Sequence, residues 1–158
     1  MTELERKAFK KMKWNLFLLG RFKIPLIGFV KPKLLVLNDD RSELSIRLRR
    51  RTKNHLDSMY FGALAVGADV TAGLFAFYHA EKLGRKVSFA FKGMTAEFHK
   101  RAESDVRFVC DEGMVVQKCL QQSIYNEERV NHPIKVAAFD KDNEEVASFE
   151  MIISVRIK

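Results

Sequence analysis

Three features of the 158-residue sequence predict an α+β fold in which a mostly antiparallel sheet packs on one long hydrophobic helix. Residues 59–81 form an apolar run, rich in Ala and Gly, in which Asp69 is the only charged side chain between positions 59 and 80. After residue 85 most of the chain alternates apolar and polar residues with the period of a strand. Ahead of both, residues 3–19 carry apolar side chains at helical spacing with lysines between them.

In the leading helix Leu4, Ala8, Phe9, Met12, Leu16 and Leu19 form the apolar face, and Gly20 can end it. A turn is expected around Ile24-Pro25. "KLLVLND" then reads as a strand, "DDRS" as a tight turn, and "ELSIRLRRR" as the second arm of a hairpin. The apolar run 59–81 follows as a helix closed by Gly84. Three glycines inside it each cost roughly 1 kcal/mol relative to alanine, so close approach to another backbone is their expected use. "KVSFAFKGM" is a strand whose apolar parity changes after Gly93, the mark of a bulge or bend. "DVRFVC" is a further strand. "EGMVVQKCLQQSIYN" fits a helix with Val115, Cys119, Leu120 and Ile124 on one side. Residues 133–157 close the chain as two strands around the turn signal "DKDN". The expected organisation is one domain over residues 1–158, with 1–30 as a helical, basic and apolar lead-in and 31–158 as the core.

Charge is unevenly placed: residues 1–53 hold 15 Lys/Arg against 5 Asp/Glu, and residues 54–158 hold 13 against 15. Such a surface suits anionic ligands or lipid. No aromatic-flanked basic motif or finger points to nucleic acid, and none is expected as a partner. Cys110 and Cys119 stand alone, without a second pair, so neither a disulfide framework nor a zinc site is expected; a cytoplasmic location is the simpler reading. His79, His99 and His132 lack ligand spacing, and no metal is expected. Arg21, Lys23 and Pro25 break the apolar stretch 14–32 as a membrane span, and Asp69 argues against one at 59–80. Peripheral membrane contact through residues 3–30 remains as a reading of the basic, apolar lead-in.

The element order and the small-residue helix resemble the hot-dog fold, a curved sheet wrapped around a central helix. The likeness sharpens over residues 54–73. Thioesterases of the phenylacetate-pathway type carry an Asn, a short loop, His-Gly-Gly at the helix opening, and an acidic residue about the second turn. Asn54 matches the Asn, Tyr60-Phe61-Gly62 stands in place of His-Gly-Gly, Asp69 falls at the acidic position, and Gly73 suits tight helix packing. Tyr60 and Phe61 depart from the pattern, and the chain looks more like an uncharacterised branch with an added N-terminal helix. The resemblance implies hydrolysis of an acyl-CoA or acyl-carrier-protein thioester at the interface of a homodimer or dimer of dimers. It implies no cofactor, coenzyme A being carried by the substrate.

The residues themselves allow that chemistry. A helix start offers unpaired N–H groups and a positive dipole end to an oxyanion, which points to the amides of Phe61 and Gly62. Asp69, seven residues on, lies on a similar face and can act as general base or nucleophile. The resemblance assigns Asn54 to holding water or the thioester. Substrate contacts are expected from His55, Met59, Tyr60 and Gly73, and phosphate contacts from Arg85, Lys86, Lys100 and Arg101. Two other readings exist: a non-catalytic acyl- or lipid-binding module, and an enoyl-thioester hydratase using His55. The hydratase pattern wants an Asp five residues before its His, where this chain has Arg50.

Overall fold

The computed structural model describes all 158 residues. Helix α1, Glu3–Leu18, begins with a capping box: the Thr2 hydroxyl accepts from the Glu5 amide at 3.1 Å, and the Glu5 carboxylate accepts from the Thr2 amide at 2.7 Å. Met12 and Leu16 bury its inner face, whereas Leu4 is exposed beyond the edge of the core. The chain then makes a π-helical turn, Leu19–Lys23, and a short helix α2, Pro25–Val30, where only a turn is expected from the sequence. Pro25 sits at the first turn, where its fixed φ and missing N–H are harmless. Ile27 and Val30, three residues apart, then fall together into the core.

Strands β1, Lys33–Leu37, and β2, Ser42–Ile46, form the expected hairpin. The central helix α3, Phe61–Lys82, is followed by β3, Val87–Phe98, and β4, Val106–Cys110. Helix α4, Gly113–Asn126, leads to β5, Val130–Phe139, and β6, Glu145–Ile157. The six strands make one sheet in the order β1-β2-β4-β5-β6-β3, antiparallel throughout. Helix α3 packs against β2, β3, β4, β5 and β6, so the sheet wraps it. Phe75 of α3 and Phe108, Ile134, Met151 and Ile153 of the sheet are fully buried at this junction. Although α3 is long and apolar enough to cross a membrane, its side chains are mostly spent on this core. On α4, Cys119 and Leu120 of the expected face are buried and Val115 and Ile124 pack half-buried against the core, while Gly113, Val116 and Ser123 widen the buried stripe.

The glycines of α3 admit rings rather than strand backbone. A Cβ on Gly67 would lie 2.3–2.5 Å from three carbons of the Phe108 ring, and one on Gly73 would lie 3.0 Å from the Phe89 ring. Both phenyl groups therefore rest directly on the helix. Thr71 is the buried hydroxyl in this region, and it donates back to the Gly67 carbonyl at 2.6 Å.

Strand β3 differs from its neighbours. It is the outer strand next to β6, it is 12 residues long, and none of its residues is buried. Its pairing with β6 slips between Phe91 and Gly93, the bulge expected at that glycine.

At the other end of α3, His79 is buried between Phe75, at 5.9 Å, and Tyr78, at 5.2 Å. Burial lowers its pKa, against a smaller opposing pull from Asp39. A base whose folded pKa lies below its unfolded value takes up protons on unfolding. Its contribution to stability is therefore present above about pH 6.5 and is lost as the pH falls. Melting temperature is expected to drop from pH 7 to pH 5 in the parent chain, with His79→Phe showing a shallower slope over that window. Equal slopes in the two proteins would exclude His79 as the cause.

Candidate active site

The loop before α3 is held by its own polar side chains. Thr52 is buried; its hydroxyl donates to the Arg47 carbonyl at 2.7 Å and accepts from the Arg49 amide at 2.9 Å. The Asn54 Oδ1 accepts from the Leu56 amide at 2.9 Å and from the Ser58 amide and hydroxyl, each at 3.2 Å. Tyr60 N donates to Thr52 O, and Met59 N to Ala102 O, each at 2.8 Å. These bonds set the point where the backbone enters the helix.

Tyr60 occupies the N-cap with an extended backbone and no side-chain cap bond. The amides of Ala63 and Leu64 both donate to the Tyr60 carbonyl. That leaves the amides of Phe61 and Gly62 with no acceptor within the chain, the usual state of a helix start that lacks a capping side chain. The Phe61 ring lies 4.8 Å from the Tyr60 ring and meets Phe98 at 6.2 Å, edge-on. The Tyr60 ring lies over Gly62, where a Cβ would come within 2.4 Å of it.

Asp69 opens onto a groove of about 450 Å³ between α3 and β3. Ala65 and Val66 form its helix wall with Asp69, and Phe91, Lys92, Gly93 and Met94 form its strand wall. No cation lies within ion-pair distance of Asp69 and no group donates a hydrogen bond to it. Burial pushes its carboxyl above the ordinary carboxylate range, because a partly desolvated anion without a partner is disfavoured. A carboxylate in that state is basic enough to take a proton and is not tied down by a salt bridge.

Not every expected residue reaches this groove. Asn54 stands before the helix start with its Oδ1 engaged by the loop, which leaves its Nδ2 as the free end. His55 is exposed on the loop. Met59 is 3% exposed and belongs to the core, and Gly73 is covered by Phe89, so neither lines the groove. Arg85 and Lys86 follow the far end of α3, where Arg85 reaches the Lys158 carbonyl. Lys100 is ion-paired with Asp140 and Glu144, and Arg101 is exposed beside it. Sequence reasoning missed the strand wall, Lys92 above all. The parity change at Gly93 was the signal available, since a bulge re-aims the residues around it. No three His, Cys, Asp or Glu side chains stand close enough to hold a metal ion.

The sequence profile described as "Domain of unknown function (DUF4442)" matches residues 13–155. The chain belongs to this family. No curated protein matches it. Among solved structures, a Pseudomonas aeruginosa protein of unknown function, described as a "probable thioesterase", is 21% identical with a TM-score of 0.78, covering 95% of this chain and 96% of its own. A thioesterase family protein from Silicibacter pomeroyi is 16% identical with a TM-score of 0.69, covering 96% and 99%. A thioesterase from Haemophilus influenzae is 11% identical with a TM-score of 0.66, covering 92% and 90%. The likeness is one of fold, and this DUF4442 chain has the hot-dog fold, with α1 and α2 placed ahead of it.

Proposed function

We propose that the protein hydrolyses an acyl thioester, carried on coenzyme A or an acyl-carrier protein, with Asp69 as the base. The observation that carries this reading is the state of Asp69: a partly buried carboxylate, unpaired, open to an apolar groove on a helix that starts with two free amides. The Phe61 and Gly62 amides would hold the oxyanion. Asp69 lies seven residues past Gly62, or about 10 Å along the helix axis. In this reading Asp69 takes a proton from a water, and that water attacks the thioester carbonyl. The Asn54 Nδ2 would be a second donor to that water or to the thioester.

The site would be completed by a second copy across β3. A long outer strand with unpaired backbone groups and no buried residue is a surface that natural proteins cover. The groove opens along that strand at Lys92, Gly93 and Met94. A partner strand there would roof it and exclude water around the reacting carbonyl. The basic excess of the chain suits coenzyme A phosphates or an acidic carrier protein.

The test is release of free thiol from a panel of acyl-CoA esters of graded chain length, with the mass of the same preparation measured by sedimentation. A dimer that releases thiol above the spontaneous rate is expected. Saturable acyl-CoA binding with no thiol release at any chain length would leave the non-catalytic acyl-binding module. The Tyr60 ring lying over Gly62 is what favours that second reading, since it narrows access to the helix start.

A further inference from the structure

The lead-in of α1, the π-helical turn and α2 carries a surface that the proposed hydrolysis does not use. Residues at 100° intervals put Trp14 and Phe17 far round α1 from the buried Met12, on a face that should be polar if water were its only neighbour. Trp14 is 59% exposed and Phe17 57%, stacked on each other at 5.4 Å. Phe22 is 70% exposed, Leu26 60% and Phe29 53%, so the next elements continue the same pattern. Ile24 is exposed as well; scattered exposed apolar residues are ordinary, but six large ones within sixteen positions are not.

Cations frame this face. A groove of about 720 Å³ runs between α1 and α2, past Phe17 and Phe29, with Lys13, Arg21, Lys31 and Lys33 around it and no carboxylate in its walls. Lys31 also belongs to an adjoining pocket of about 190 Å³, with Arg47, Arg49 and Arg51. The Arg51 guanidinium bridges the two, lying 5.3 Å from the centre of the Phe29 ring. None of these seven cations has an ion-pair partner in the chain, whereas Lys11, Arg41, Lys53, Lys82, Lys100 and Arg107 all do. Unpaired cations interleaved with exposed aromatic rings match the chemistry of an anionic lipid interface. Rings settle at the acyl boundary while Lys and Arg reach headgroup phosphates.

We propose that this face docks the protein on an anionic bilayer surface, with Trp14, Phe17, Phe22 and Phe29 entering the interface and the Lys31–Arg49–Arg51 pocket taking a headgroup phosphate. The proposal is independent of the hydrolytic reading. Trp14 is the single tryptophan of the chain, so its fluorescence reports on this face alone. Titration with phosphatidylglycerol–phosphatidylcholine vesicles is expected to shift its emission to the blue and to saturate. Binding to phosphatidylcholine vesicles should be at least tenfold weaker, and raising salt from about 0.1 to about 1 M should reverse the shift. The exposed double variant Phe22→Ser/Phe29→Ser is expected to weaken binding about tenfold with an unchanged melting temperature. Lys31→Glu/Arg49→Glu should do the same through charge. No shift with anionic vesicles, equal binding to both vesicle types, or wild-type binding by both variants would overturn the proposal. So would a blue shift that grows with protein concentration in the absence of lipid, which would make a second copy the occupant.

Discussion

Asp69→Asn is expected to lower acyl-thioester turnover by about 10³-fold, within the range that general-base groups supply, and to raise the melting temperature at the same time. The two effects share one cause. Asp69 is held partly buried without a counter-charge, and burial raises its pKa above the usual value of 3.8. An acid whose folded pKa is raised releases its proton more readily when the chain unfolds. Folding stability therefore falls as the pH rises from the unfolded pKa through the folded one, and the cost is complete at neutral pH. Asparagine keeps the shape and removes the charge. A higher melting temperature is expected at pH 7, and the difference should vanish near pH 3. In the parent protein the acid limb of kcat/KM should lie above the ordinary carboxylate range. Thiol-release assays and melting curves across pH measure all three quantities. Unchanged turnover in Asp69→Asn would remove the catalytic assignment, whatever the stability does.

Gly67→Val is expected to be among the most damaging single changes outside the site. The added Cβ alone would overlap the Phe108 ring, and that ring is 0% exposed between α3 and β4. It cannot swing into solvent, so helix and strand must part. Overpacking of this kind costs about 1–3 kcal/mol, or roughly 3–9 °C in melting temperature, before the stiffness of a β-branched side chain is added. Gly93→Ala gives the contrast, because a Cβ there meets only Ile152 at an ordinary 3.6 Å. It should move the melting temperature little. If Gly67→Val melts with the parent, the ring does not rest on the helix.

The same glycines show how far the sequence could be read. Their number within α3 announced close packing, because no helix keeps such residues for propensity alone. What packs there was misjudged: strand backbone was expected, and the rings of Phe108 and Phe89 are found. Composition reports that space is needed and not what fills it. The strands after residue 85 were legible because an alternating face is a local property, and so was the bulge at Gly93. Helix α2 was not, since six residues beginning with proline look like a turn until Ile27 and Val30 have a core to enter. The face of α4 was legible through Cys119 and Leu120, but its full width was not: the core takes Val116 as well as Val115, which only a partner surface decides.

For the site, the sequence by itself determined that Asp69 is exceptional, that a helix begins beside Phe61 and Gly62, and that positive charge collects in the first third of the chain. Each is carried by neighbours along the chain: an acid inside an apolar run, an apolar run with a start, a count of charges. Only the tertiary structure decided that Asp69 has no partner, that Lys92 and Met94 face it, and that Met59 and Gly73 belong to the core. It also separated the paired Lys100 from the unpaired cations around Lys31. The physical reason is that desolvation and pairing depend on strand register and helix placement, which bring β3 residues more than twenty positions away onto one turn of α3. No local period encodes that distance.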